Sequence, residues 1–233
     1  MSHFNFEIVS NDRTLDAYLA PSKGGRKPGI VLLTEIFGVN AAMRLAADEL
    51  ANEGFTVLVP DLFNQVSPRL ELGYSEAERE QAIAIWQKMD DAISMADSYA
   101  AITALRQNPK CNGKVAVLGF CLGGKYALQM AAAGGVDASV SFYPVRVQDY
   151  SESLRNLKCP TLTHVGDQDA HIPKEVQEIL SSVLREPGKA ELCLYPGAGH
   201  GFYNSVRTFG YLPEAAHEAR ERSVKFLREV LAD

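Results

Sequence analysis

The sequence predicts an α/β fold: a mostly parallel central sheet with helices on both faces. Two observations carry this. Short apolar runs alternate with stretches of helical periodicity, the sequence form of repeated β-α-β units. The longest of these runs, near Gly29–Leu33 and Val115–Phe120, read as strands buried on both faces. A length of 233 residues suits one such domain over residues 1–233.

The elements follow in order. Phe4–Val9 and Thr14–Ala20 are strand-like runs split by the turn signal Asn11-Asp12, an antiparallel hairpin at a sheet edge. A loop rich in Gly, Lys and Pro (Ser22–Pro28) leads to strand Gly29–Leu33. A helix is expected from about Asn40 to Glu53, stopped by Gly54, then a strand over Thr56–Pro60. Asp61–Gly73 reads as a loop. Ser75-x-x-Glu78 has capping-box spacing and opens a helix to about Met89; a second helix spans about Asp91–Gln107. Strand Lys114–Phe120 precedes helix Leu122–Ala133, and strands follow at Ala138–Tyr143 and Thr161–Gly166. A helix starts near Pro173 and ends before Pro187-Gly188. Ala190–Tyr195 is the last strand, and a long amphipathic helix from Pro213 to about Leu231 closes the chain. Such sheets bind ligands at the carboxyl ends of their strands.

Composition narrows the functional classes. Hydrophobic residues make up 46% and charged residues 22%, as in a globular chain. The formal net charge of −6, with no basic block, argues against nucleic acid as a partner. No secretion signal opens the chain, and no apolar run approaches the ~18 residues of a membrane span. The expected setting is therefore cytoplasmic. Four cysteines, Cys111, Cys121, Cys159 and Cys193, show no C-x-x-C spacing and are expected as thiols.

Cys121 stands apart from the other three. The strand Val115–Leu118 runs into Gly119-Phe120-Cys121-Leu122-Gly123-Gly124, which is G-x-S-x-G with Cys in place of Ser. The spacing has a mechanical reason. A nucleophile held in a strained strand-to-helix turn brings the residues two before and two after it together, and glycine at 119 and 123 avoids the clash. The turn lifts the side chain above the sheet and leaves the Leu122 N–H at a helix N-terminus, ready for an oxyanion. The same dipole lowers a thiol's pKa from its usual ~8.5. The competing reading is a glycine-rich turn that merely contains Cys.

The partners decide between these readings. In the α/β-hydrolase fold the chain order is nucleophile, acid, histidine. Strand Thr161–Val165 ends in Gly166-Asp167-Gln168-Asp169, and strand Glu191–Tyr195 is followed by Pro196-Gly197-Ala198-Gly199-His200-Gly201. His200 would carry the thiol proton and Asp169 would orient its imidazole. Asp167 is the alternative acid or a brace of the turn, and Asp169 is alternatively a helix cap. His3 and His217 read as solvated, His164 as part of a buried strand, and His171 as peripheral to the acid.

These residues resemble the dienelactone hydrolase (carboxymethylenebutenolidase) family over nearly the whole chain. The segments that carry the likeness are Glu35-Ile36-Phe37-Gly38, Arg79-Glu80-Gln81-Ala82 before Trp86, the Cys121 elbow, the acid loop with Asp169 and Pro173, and Ala198-Gly199-His200. The resemblance implies hydrolysis of a cyclic enol ester to maleylacetate in chloroaromatic breakdown. It implies a Cys121–His200–Asp169 triad with no metal or organic cofactor. Glu35 would take the thiol proton when substrate displaces it, and the Ile36 N–H would complete the oxyanion hole with Leu122. Arg79 would bind the substrate carboxylate, although Glu76, Glu78 and Glu80 beside it also suit a surface ion pair. Trp86, Tyr143 and Phe37 would line the pocket. Asn204 stands where the family has a second carboxylate-binding arginine, Gly201 replaces its serine, and Ile83 replaces an aromatic. Arg207, three residues beyond Asn204, is a candidate substitute anchor.

The expected protein is thus a monomeric hydrolase acting on a small lactone or activated ester, with a carboxylate on the substrate. A broader carboxylesterase is the alternative within the class. A non-catalytic binding or redox-sensing module is the alternative outside it.

Overall fold

The computed structural model describes residues 3–186, 189–207 and 209–232. The chain folds into two compact units, Met1–Val115 and Ala116–Asp233. Strand β5 (Cys111–Phe120) runs from the first into the second.

The first unit holds β1 (Phe6–Ser10), β2 (Arg13–Ala20), β3 (Lys27–Leu33) and β4 (Thr56–Pro60), in the order β1-β2-β4-β3. β1 and β2 form the expected antiparallel hairpin, with Val9 opposite Thr14. β2 pairs antiparallel with β4, and β4 pairs parallel with β3. Every residue of β4 is buried, so its side chains are covered on both faces. Helix α1 (Ala41–Asn52) is capped by Asn40, whose side chain accepts from Met43 N–H at 3.2 Å. Helix α2 (Glu76–Trp86) opens with the full capping box of Ser75 and Glu78. It ends at Trp86 rather than near Met89. Asp90 explains the difference: it caps α3 (Asp91–Gln107) by accepting from Ala92 and Ile93 N–H, which requires extended backbone at 90. The loop expected over Asp61–Gly73 contains one 3₁₀ turn, Leu62–Gln65. Asp61 caps it and accepts from Phe63 N–H at 3.1 Å.

The second unit orders its strands β5-β6-β7-β9-β8. β6 (Ala138–Phe142), β7 (Thr161–Gly166) and β9 (Ala190–Tyr195) are parallel to one another and β6 to β5. β8 (Arg185–Glu186) is a two-residue antiparallel edge that the sequence pattern does not announce. Pro187-Gly188, expected to follow the preceding helix, lies outside the described residues. Helix α4 (Leu122–Ala133) is buried along most of its length and packs on β6. Two strand hydroxyls pin it there: Ser139 Oγ donates to the Ala127 carbonyl and Ser141 Oγ to that of Gly124, each at 3.0 Å. Helix α5 (Lys174–Val183) packs against β9, and α6 (Pro213–Val230) against β6 and β7. Two 3₁₀ turns, Val147–Asp149 and Ser151–Asn156, bridge β6 to β7.

The β7 side of this core carries a polar tie. His164 is fully buried, with Nδ1 2.9 Å from Tyr195 Oη on β9 and Nε2 2.9 Å from Ser223 Oγ on α6. Ser223 gives its one proton to the Ala219 carbonyl at 2.7 Å. It must therefore accept from His164, which places the imidazole proton on Nε2 and makes Nδ1 the acceptor for the Tyr195 hydroxyl. Burial drives the His164 pKa down to about 3, with the Arg222 charge adding to the fall, so the ring is neutral. His164 is structural, in keeping with its position in a buried strand.

Among the described residues, no helix is long and apolar enough to cross a membrane. All four cysteines are free; Cys111, Cys159 and Cys193 are buried, and Cys121 is partly exposed.

Candidate active site

The elbow begins with backbone geometry. Cys121 lies between β5 and α4 at φ 56 and ψ −110, a left-handed conformation that L-residues adopt only under constraint. The constraint is visible on both sides. Cys121 N–H donates to the Phe142 carbonyl of β6 at 3.0 Å, and the Cys121 carbonyl accepts from Lys125 N–H in the first turn of α4. A Cβ at Gly119 would overlap the carbonyl of Gly123, the clash its spacing was read to avoid. Gly124 is needed as well, since a Cβ there would lie 2.7 Å from the Phe142 carbonyl oxygen. Leu122 is the first residue of α4, where an N–H has no acceptor within the helix.

The acid and histidine loops are joined independently of the elbow. A Cβ at Gly166 would run into the Ala198 carbonyl, so this glycine lets the two loops touch. Gln168 N–H donates to the Ala198 carbonyl at 2.9 Å and Asp167 N–H to that of Tyr195 at 3.1 Å. Asp167 accepts from Gly197 N–H at 2.8 Å and so braces the turn. Asp169 uses both carboxylate oxygens: Oδ1 accepts from His171 N–H at 2.8 Å, and Oδ2 lies 2.8 Å from His200 Nδ1. The Asp169 side chain is wholly buried and that of His200 is 15% exposed.

Two of the expected residues, Asp169 and His200, therefore meet. With Nδ1 held by Asp169, His200 is left with Nε2, and Cys121 is near enough for its charge to act on the ring. Burial alone would lower the His200 pKa. The influence of Cys121 and the hydrogen bond to Asp169 outweigh it and raise the imidazole to about 10. Tyr143, at φ 37 and fully buried, presents its ring edge-to-face to His200 with centroids 4.9 Å apart.

One neighbour was expected close to the acid and another was not expected. His171, expected close to the acid, packs against His200 with ring centroids 4.6 Å apart. Its place two residues after Asp169 was the available signal. Tyr150 is buried, donates to the Val145 carbonyl at 3.2 Å, and has its hydroxyl pKa pushed up by burial and by the charges of Asp149 and Cys121. Nothing in its local sequence marks it, because its burial depends on the two 3₁₀ turns after β6. Asn204 is buried, and its Oδ1 accepts from Val206 N–H at 3.1 Å, bracing the turn after the histidine.

The first unit carries the other expected residues. Glu35 is 2% exposed at the end of β3, and its Oε2 accepts from the Tyr74 hydroxyl at 3.0 Å. Tyr74 also receives an N–H from Asn40 and stacks edge-on with Phe37 at 4.7 Å. This partner of Glu35 lies 39 residues away and was not expected. Ile36 is half-buried, and the segment after it is zipped to Leu70–Leu72 through Val39 N–H and Leu72 N–H. Arg79 is exposed in the first turn of α2, while its neighbour Glu78 is occupied by the cap. Trp86, half-buried, ends the same helix. Among the described residues, no group of three His, Cys, Asp or Glu side chains is arranged to hold a metal ion.

Known proteins bear on this arrangement. The model of the dienelactone hydrolase family matches residues 15–231. A carboxymethylenebutenolidase of Pseudomonas putida is 36% identical over 201 residues, covering 86% of this chain and 85% of its own. A Bradyrhizobium protein assigned as a 2-oxo-3-(5-oxofuran-2-ylidene)propanoate lactonase is 34% identical over 237 residues, covering 95% and 92%. The crystal structure of a Klebsiella pneumoniae protein assigned to dienelactone hydrolase superposes with a TM-score of 0.84 at 25% identity, covering 96% of both chains. With its mostly parallel sheet flanked by helices, its elbow and these relatives, the chain belongs to the dienelactone hydrolase family.

Proposed function

We propose that this protein opens a five-membered enol lactone whose exocyclic double bond carries a carboxylate arm, with Cys121, His200 and Asp169 doing the chemistry. Family membership supports hydrolysis of a lactone or ester bond. The observation that carries the site assignment is His200, held at 2.8 Å by buried Asp169 on one nitrogen, while Cys121 sits in the strained turn between β5 and α4. The substrate class comes from the relatives' names. A carboxymethylenebutenolide and a (5-oxofuran-2-ylidene)propanoate share an unsaturated lactone ring with an exocyclic acid arm.

In this reading Cys121 reacts as the thiolate, adding its sulfur to the lactone carbonyl. The Leu122 N–H is assigned to the oxyanion from its place at the start of α4, and the Ile36 N–H on the family resemblance alone. Collapse breaks the ring C–O bond and the electron pair leaves on the enolate oxygen, giving a thioester on Cys121. An enolate is a good leaving group, which suits a thiolate nucleophile. Water then attacks the thioester, its proton passing to the enolate or to His200, and the thiolate is released. Maleylacetate is the product when the substrate is dienelactone.

Glu35 is assigned the thiol proton on the family resemblance, supported by its burial beside the Tyr74 hydroxyl. Arg79 is assigned the substrate carboxylate, supported by its exposure beside a Glu78 that is already engaged. We retain one hydrolase domain over the chain, supported by a family match from 15 to 231, and a cytoplasmic monomer. A second reading, a broader carboxylesterase, is favoured by one observation: Asn204 braces a turn where the family's second anchor stands.

Steady-state turnover of cis- and trans-dienelactone beside a neutral aryl ester tests both readings. Cys121→Ala should abolish all turnover; full retained activity sinks the mechanism. Arg79→Ala should raise KM for the dienelactones and leave the neutral ester unaffected. An equal effect on both would transfer the case to the broader esterase.

A further inference from the structure

We propose that Arg207 is a positioning residue for His200, seated in space that Gly201 leaves open; the inference rests on reading His200 as the proton carrier. The chain turns back on itself after the histidine. Asn204 N–H donates to the Gly201 carbonyl at 3.0 Å, and Arg207 N–H donates to the Asn204 carbonyl at 3.3 Å. Asn204 Oδ1 closes the same turn by accepting from Val206 N–H. The turn returns the Arg207 side chain to its own starting point, where Nη1 donates to the His200 carbonyl at 3.2 Å. The guanidinium carbon sits 5.0 Å from the centre of the Phe209 ring, within cation–π range.

Gly201 makes this possible. It adopts φ +80, and a Cβ there would lie 2.8 Å from the guanidinium carbon and closer still to Nη1. A side chain at 201 and the guanidinium of Arg207 therefore exclude each other. The glycine at 201 and the arginine at 207 act as one device.

Its effect is mechanical. His200 lies in an irregular loop between β9 and α6. Asp169 fixes the ring at Nδ1, and Arg207 fixes the backbone of the same residue. Holding both ends limits the swing of the imidazole relative to Cys121, and a misplacement of about 1 Å in a catalytic group costs up to about 10²-fold in rate. The same geometry commits the guanidinium to a backbone carbonyl and an aromatic ring, so Arg207 does not replace the missing second carboxylate anchor.

A kinetic cycle tests this, using Arg207→Met, Gly201→Ala and the double variant on cis-dienelactone and a neutral aryl ester. Arg207→Met should lower kcat about tenfold on both substrates with little change in KM, the signature of lost positioning rather than lost binding. Arg207→Lys should recover part of the loss. The alkaline limb of the kcat profile should move to lower pH as His200 slackens from Asp169. Gly201→Ala should lose more kcat in the wild-type background than in the Arg207→Met background. The left-handed strain at 201 is present in both backgrounds and cancels in the cycle.

Unchanged kcat, additive losses, or a KM rise confined to the dienelactone would each overturn the proposal, the last by making Arg207 an anchor. His200→Ala separates the two levels of argument. Retained activity there defeats the site reading, whereas an inert Arg207→Met beside a dead His200→Ala defeats only this inference. Circular dichroism checks each fold, and Arg207→Gln replaces Arg207→Met in the cycle should the latter not fold.

Discussion

His164→Phe is expected to change how stability responds to acid. In the folded protein the ring is neutral and buried, with its pKa driven down to about 3. An exposed histidine in the unfolded chain titrates near 6.5. Below that pH the unfolded chain takes up a proton that the folded chain refuses, so stability is lost as pH falls. At ~1.4 kcal/mol per pH unit the loss between pH 7 and pH 5 comes to about 2 kcal/mol. His200 does not blur this window. Its folded pKa is raised, so its contribution is complete below the unfolded value and is lost as pH climbs from there through the folded one, equally in wild type and variant, and cancels in their difference. Phenylalanine keeps the stacking on Phe142, where the centroids are 4.5 Å apart, but leaves the Tyr195 hydroxyl without its acceptor. That costs about 1–3 kcal/mol at either pH. The quantity to measure is the difference in urea unfolding free energy between wild type and variant. It should shrink by about 2 kcal/mol on going from pH 7 to pH 5. Far-UV circular dichroism is the right probe, because the single tryptophan, Trp86, belongs to the first unit and His164 to the second. An equal penalty at both pH values would refute the neutral, tied-in imidazole.

Asp61 should behave oppositely. It is fully buried, and burial raises its pKa to about 7 against the pull of the Arg69 and Phe63 N–H groups. The folded state then holds a proton that the unfolded state has released, and stability falls as pH rises from about 4 to 7. Asp61→Asn should gain on wild type by about 2 kcal/mol between pH 5 and pH 7, read by Trp86 fluorescence in urea. Ser223→Ala removes the acceptor of His164 Nε2–H and should cost about 1–3 kcal/mol, or about 2–12 °C in Tm by calorimetry. Asp169→Asn should lower kcat by about 10³- to 10⁴-fold and shift the alkaline limb to lower pH, because the carboxylate is one cause of the raised His200 pKa. Gly166→Ala should part the acid and histidine loops and lower kcat at least about tenfold, while Cys121 labelling by iodoacetamide reports whether the elbow survives.

The legible parts of this protein are those whose cause is local. The clash that excludes a side chain at Gly119 involves Gly123, four residues away, so spacing alone revealed it. Asp169 and His200 could be found because each follows a strand, and the order of strands fixes which loop ends share a rim. The hidden parts depend on contacts distant in sequence. Tyr74 reaches Glu35 across 39 residues, and Tyr150 is buried between two 3₁₀ turns that the sequence pattern reads as a plain loop after β6. The contacts of Arg207 were hidden for the same reason. An arginine near a histidine suggests a ligand for substrate, and only the turn through Asn204 shows its side chain doubling back to the His200 carbonyl. The end of α2 shows competition between neighbours: the helical pattern continues past Trp86, but Asp90 needs extended backbone to cap the next helix.

The strain at position 121 belongs to the main chain and not to sulfur. The angles of φ 56 and ψ −110 are imposed by the Phe142 carbonyl on one side and the first turn of α4 on the other, and both act on backbone atoms. An alcohol in place of the thiol would inherit the same perch and the same imidazole. Reactivity is therefore separable from architecture here: the scaffold specifies where an electron pair is presented, and a single atom decides which leaving groups it can expel. Substrate range in such a protein can drift by exchange of that atom and of the residues at the rim, with no rebuilding of the sheet.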